Sequence, residues 1–245
     1  STVNARDRNL LVAAINQALG LALEEDPKVV LLGEDIADPG GGVYKATLGL
    51  SSRFGTHRVR DTPISEQAIL GCAIGAAIAG YRPVAEIMIM DFLAVCMDQL
   101  ANHAAKIRYM SGGQTSVPMT VRCSAGAGMQ FGAQHSELLE SWLCHVPGLK
   151  VAVPSNPADA KGLLWSCIFD DDPCVFIEQT MIYFVAGDVP VGVHQVPLGS
   201  AAVRREGADV TLISYGRQVK DCLSAASTLE ADGISAEVVD LRSLV

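Results

Sequence analysis

Aromatic residues are scarce, 5% of 245, so any core here is built from alanine, valine, leucine and isoleucine. No basic run exceeds Arg204-Arg205 and the net charge is -9, which argues against nucleic acid or an anionic membrane as partner. No stretch approaches the ~18–20 apolar residues that span a bilayer. The N-terminal STVNARDRNL lacks an apolar signal region. None of the seven cysteines forms a CxxC pair, and most lie in apolar surroundings. They read as reduced packing residues of a cytoplasmic protein, or of the mitochondrial matrix for a processed form. His135-Ser136-Glu137 has the HxE form of zinc deaminases, but no PCxxC follows it. Phosphate cradles are missing too. There is no GxxxxGK[ST], no GDG with a following Asn ligand, and no GxSxG elbow. Gly126, Gly128 and Gly132 miss the GxGxxG spacing by one residue.

What is present is a regular alternation. Helical spacing over 9–25 precedes a short apolar strand at 28–33. A glycine-rich loop covers 33–50, and 58–64 is extended. Helices follow at 66–80, 92–109, 136–145 and 157–169. Between and after them, strands are expected at 82–90, 117–122, 149–153 and 174–178. This order predicts an α/β fold, a parallel sheet flanked by helices. Residues 186–207 lack periodicity and read as a linker. A strand at 208–216, a helix at 217–232 and a strand at 234–241 then form one βαβ unit, the start of a second α/β domain.

The segment DTPISEQAILGCAIGAAIAG, 61–80, concentrates the chemistry. Pro63 biases Thr62 away from helix, and Ser65 is placed to cap the helix that follows. Glu66 then stands in the first turn, before the uncharged run Ala68–Ala79. It either complements the helix dipole or is a partly buried carboxylate able to share a proton. Gly71, Gly75 and Gly80, with Ala76 and Ala77, form a small-residue face for close packing on the sheet or on another subunit. His135 falls at a loop-to-helix junction, as a cap or a catalytic imidazole. Asp170, Asp171 and Asp172 are consecutive carboxylates that would repel one another if uncompensated.

Several long runs carry a resemblance. They include GED at 33–35, GGVYKATLGL at 41–50, RVRDTPISE at 58–66, GAAIAGYRPVAE at 76–86 and DFLAVCMDQLANHAAKIRYMSGGQ at 91–114. GAQHS at 132–136, PGLKVAVPSNPADAKGLL at 147–164 and PLGSAAVRREGADVTLISYG at 197–216 continue the series. Over essentially its whole length the chain resembles the beta subunit of the thiamine-diphosphate-dependent first component of 2-oxo acid and acetoin dehydrogenase complexes.

The resemblance implies a transketolase-like pyrimidine-binding domain at 1–185, a linker at 186–207 and an incomplete C-terminal transketolase-like domain at 208–245. It implies thiamine diphosphate shared with an alpha subunit that carries the diphosphate and Mg2+. It also implies an alpha2beta2 heterotetramer and a lipoyl acyltransferase partner. Glu66 would bond a pyrimidine ring nitrogen and favour the tautomer that deprotonates the thiazolium. Ile64, Met88 and Phe92 would line the pyrimidine pocket, and His135 would face substrate or the lipoyl arm. A structural K+ would sit at Met119, Cys167, Ile168, Asp170 and Asp172. Where the family often has asparagine this chain has Asp172, a second carboxylate that strengthens the site or changes its ion preference. Family members continue well past residue 245, so the C-terminal domain is expected to be cut short or completed elsewhere. Two other readings are a non-catalytic assembly paralogue and half of another transketolase-like thiamine enzyme.

Overall fold

The computed structural model describes residues 6–245. Its centre is a six-stranded, all-parallel sheet in the order β3-β2-β4-β5-β7-β6. The strands are β2 (Val29–Gly33), β3 (Val59–Asp61), β4 (Arg82–Ile89), β5 (Thr120–Ala125), β6 (Lys150–Ala152) and β7 (Cys174–Gln179). One face is covered by α1 (Leu11–Glu25) and α7 (Pro157–Ile168), whose cluster includes Leu19, Leu31, Leu163 and Phe176. The other carries α3 (Glu66–Ile78) and the broken helix after β4, packed through Leu70, Ile87, Leu93 and Val121. Burial on both faces is why these strands read as apolar runs rather than alternating ones. Short α2 (Leu50–Phe54) and α6 (Glu140–Cys144) sit in the connections.

The helix after β4 is not continuous. It runs as α4 (Leu93–Asp98), a π-helical segment (Gln99–Ala104) and α5 (Ala105–Met110), with non-helical dihedrals at Cys96. Such π-segments cluster at functional sites. The helix expected over 136–145 shortens to α6, because 126–139 is spent on a loop that folds back against the strand ends.

The expected linker, 186–207, is not unstructured. β8 (Ala186–Pro190) pairs antiparallel with β1 (Arg6–Leu10). β9 (Ala202–Arg205) joins β10 (Val210–Ser214) and β11 (Ala236–Asp240) in a small sheet of order β10-β11-β9. β10 and β11 are parallel, connected by α8 (Gln218–Ala231), as the βαβ reading required. This second unit is tied down by polar contacts. Asp159, buried at the start of α7, receives Arg204 at 3.3 Å and Arg242 at 3.0 Å. Leu244 N donates to Val151 O at 2.9 Å.

The loop after β2 owes its shape to its glycines. At Gly41, φ is +66°, and a Cβ there would lie 2.6 Å from the Leu48 backbone. Asp38 staples the same loop, accepting from Gly49 N (2.6 Å), Ser52 N (2.8 Å) and the Ser51 and Ser52 hydroxyls. Those donors, Ser52 foremost, hold its carboxyl well below the usual range.

Candidate active site

In an open parallel sheet, ligands sit outside the carboxyl ends of the strands, where the strand order reverses. Here the chain leaves β2, adds β3 on one side, then crosses to add β4 on the other. The reversal lies between β2 and β4. The loops that meet there are 34–49, 62–66 and 90–92, with 126–139 folding over from β5. Sequence elements far apart in the chain therefore share one crest.

Glu66 opens α3 on this crest, in the first turn. Ser65 occupies the N-cap position, but its hydroxyl donates to Pro63 O (3.2 Å) instead of capping the helix, which corrects the expected side-chain cap. The tight turn before it is pinned by Thr62 N to Gly33 O (2.9 Å) and by Ala37 N to Asp61 Oδ1 (2.7 Å). Glu66 is partly buried. Its surroundings register its charge. Burial raises the Glu34 carboxyl, and the Glu66 charge is the next cause. Burial likewise pushes the Cys96 thiol up to about 12, with Glu66 adding to it.

Phe92 and His135 meet edge to face, ring centres 5.5 Å apart. The loop bearing His135 is drawn in where Gly126 passes its backbone, since a Cβ at Gly126 would lie on the His135 carbonyl. Asp91 Oδ1 accepts from Glu137 N at 3.4 Å. Met88 is half-buried, and its carbonyl accepts from Ser124 Oγ at 2.6 Å. Ile64 is 83% exposed, an apolar side chain standing at the open mouth. Thus Ile64, Glu66, Met88, Phe92 and His135 all stand on loops or strand ends at the crest. A carboxylate in the first turn of α3, near apolar side chains, is a group that could hydrogen-bond a ring nitrogen.

The residues of the acidic turn lie elsewhere, at the opposite end of the sheet. The three carboxylates are not left to repel one another. Lys150 Nζ reaches Asp170 Oδ1 (2.7 Å) and Asp172 Oδ2 (3.3 Å), Arg108 pairs with Asp172 (2.5 Å) and Arg82 with Asp171 (2.9 Å). Burial opposes the Asp172 charge, but Arg108 and Lys150 outweigh it and hold its carboxyl below the usual range. The carbonyls keep capacity. Met119 O accepts from Cys174 N (3.0 Å), Cys167 O from Asp170 N (3.3 Å) and Ile168 O from Arg82 Nη1 (3.4 Å). Each carbonyl oxygen has two lone pairs, so Met119 O and Ile168 O can each accept a further contact, whereas the carboxylates are already paired with Lys150, Arg108 and Arg82.

Sequence reasoning gave no role to Glu34, although it follows β2 directly and stands near Ser65 and Glu66. It also passed over Glu86, Arg122 and Glu178. A signal was there: Arg122 and Glu178 are the only charges of β5 and β7, Glu86 sits in the interior of β4, and a buried charge demands a partner.

Residues 11–184 match the transketolase pyrimidine-binding domain, and residues 199–245 match the transketolase C-terminal domain. The chain is 47% identical to the acetoin:2,6-dichlorophenolindophenol oxidoreductase subunit beta of Cupriavidus necator, over 94% of this chain and 71% of that one. It is 46% identical to the 2-oxoisovalerate dehydrogenase subunit beta of Bacillus subtilis, over 95% and 71%. For the pyruvate dehydrogenase E1 component subunit beta of Bacillus subtilis the figures are 44%, 96% and 72%. Among solved structures, a split-gene transketolase, described as an inactive beta4 tetramer, superposes with a TM-score of 0.78 at 24% identity, covering 96% of this chain and 71% of that one; this shows the shared fold. With identities in the mid-forties along nearly its whole length, the chain belongs to the transketolase-type family of dehydrogenase E1 β subunits.

Proposed function

We propose that this chain is the beta subunit of a thiamine-diphosphate-dependent dehydrogenase that decarboxylates a 2-oxo acid, or cleaves acetoin, and passes the acyl group to lipoamide. The feature that supports the reading is Glu66 in the first turn of α3, at the crest of the sheet that also carries Met88 and the Phe92–His135 pair. Thiamine diphosphate, when bound, supplies a carbon nucleophile for the substrate carbonyl. Glu66 holds a proton at the pyrimidine ring nitrogen. Ile64, Met88 and Phe92 wall the ring and exclude water. His135, steadied on Phe92, faces the substrate side. The diphosphate and its Mg2+ fall to an alpha subunit, in keeping with the missing GDG and phosphate loops here. The sequence relatives favour the dehydrogenase reading over a split transketolase, being nearly twice as identical.

Assembly with other subunits is supported by α3. Its sheet-facing side is Ile69, Leu70, Ala73, Ile74 and Ala77. Ala77, expected on the small-residue face, belongs instead to this buried side, whereas Gly71 and Gly75 lie off it: nothing stands within 4 Å of a Cβ built at Gly75, or at Gly80 just beyond the helix, and only the end of Gln99 is near Gly71. The face is therefore open for another backbone. Gly75→Leu should lower the mass of the assembled oligomer while the protomer stays folded, as read by light scattering. An oligomer of unchanged mass would show that α3 is not at the interface.

A potassium ion at the acidic turn is the second assembly feature we propose, held chiefly by the carbonyls of Met119, Cys167 and Ile168. An ion bound only by the folded state stabilises it by mass action. The melting temperature should be higher in potassium than in a large organic cation at equal ionic strength. Equal melting temperatures would refute the site. Asp170→Ala is a poor test, because it also strands Lys150.

A further inference from the structure

A charged cluster beneath the glycine-rich loop takes no part in the chemistry above. Arg122, with a side chain 2% exposed, donates from Nε and Nη2 to the two oxygens of Glu178, at 2.6 and 2.8 Å. Its Nη1 donates to Glu86 Oε2 at 2.7 Å. The Tyr183 hydroxyl donates to Glu178 Oε2 at 2.5 Å. Glu178 is 1% exposed and Glu86 14%. One guanidinium thus serves two carboxylates. Burial opposes the Arg122 charge, but Glu178 and Glu86 outweigh it and raise its pKa. Burial raises the Glu86 carboxyl, Arg122 opposing and Glu178 adding.

Buried ion clusters are weak sources of stability, because well-packed apolar replacements often do as well. A positional role accounts for this one better. Glu86, Arg122 and Glu178 lie on the adjacent strands β4, β5 and β7, each two residues short of a crest position. The crest residues Met88, Ser124 and Thr180 are themselves cross-linked, Ser124 Oγ to Met88 O at 2.6 Å and Thr180 Oγ1 to Ala125 O at 3.0 Å. Above the cluster lies the loop after β2. The Tyr44 ring rests on Tyr183, centres 4.7 Å apart, and a Cβ at Gly42 would come within 3.5 Å of Glu86 Oε1. A cavity of about 10 Å³, roughly one water in size, separates loop from cluster.

We propose that Glu86, Arg122, Glu178 and Tyr183 form a positioning network that clamps the 41–46 loop onto β4 and so fixes Met88 against the cofactor ring. None of the four is among the residues assigned above to the cofactor ring. The proposal rests on the cofactor reading given above. Its weak points are Glu86, which takes a single bond from Arg122, and the Tyr183 hydroxyl.

The test uses Glu86→Gln and Tyr183→Phe, both near-isosteric, in the complex assembled with its alpha subunit. Thiamine diphosphate affinity and kcat are measured separately, with hydrogen exchange of the 41–48 amides. Each variant should weaken the cofactor by about tenfold, about 1.4 kcal/mol, lower kcat by less than about threefold, and speed exchange in the loop. A lower melting temperature with cofactor affinity and loop exchange both unchanged would overturn the proposal and leave a merely structural cluster. If one variant fails to assemble, the other decides on the same readouts. A wild-type complex whose activity does not depend on thiamine diphosphate would instead sink the underlying reading, and this proposal with it.

Discussion

Glu66→Gln will abolish turnover in the assembled enzyme and leave the fold intact. The carboxylate stands in the first turn of α3, whose packing comes from Ile69, Leu70, Ala73, Ile74 and Ala77. Glutamine keeps the shape and removes the negative charge that holds a proton on the ring nitrogen. Loss of a positioned proton-transfer group costs ~10²–10⁴-fold. The stability cost is that of a helix-terminal charge, roughly 0.3–1 kcal/mol. Activity of the reconstituted complex and a thermal melt, run side by side, separate the two effects. Activity within a few-fold of wild type would remove Glu66 from the reaction.

The chain without an alpha partner should be inactive and should bind thiamine diphosphate at least ~100-fold more weakly than the complex, a difference of about 2.7 kcal/mol. It carries no GDG and no phosphate loop, so the diphosphate and its metal have no anchor here. The pyrimidine side is open as well: Ile64 is 83% exposed at the mouth, and an apolar wall facing water contributes little. Titration calorimetry with and without Mg2+ checks this. Tight, magnesium-dependent binding to the single chain would contradict it.

The parts of this fold that were legible in the sequence are those with a local cause. α1 follows from helical periodicity, the central strands from short apolar runs, and the βαβ unit of β10, α8 and β11 from its strand–helix–strand order. β1, β8 and β9 were not legible, because antiparallel pairing across the chain leaves no mark in a short stretch such as Ala186–Pro190, where glycine and proline break any pattern. The crest was legible in part. Glu66 stood out because a carboxylate before an uncharged helix is unusual, and His135 because it falls in a glycine-rich loop ahead of an expected helix, but Met88 and Phe92 came from resemblance, since nothing local distinguishes them. The charge balance of the acidic turn was not legible. Lys150, Arg82 and Arg108 are distant in sequence, and only the folded chain brings them to Asp170, Asp171 and Asp172.

The central claim is that this chain supplies the glutamate that activates a shared cofactor. The most direct measurement is the rate of deuterium exchange at the reactive thiazolium carbon of thiamine diphosphate in the reconstituted complex, followed by quenched-flow NMR. The account predicts fast exchange with the wild-type chain and a fall of ~10² or more with Glu66→Gln, at cofactor concentrations that saturate both. Equal exchange rates in the two complexes would contradict it.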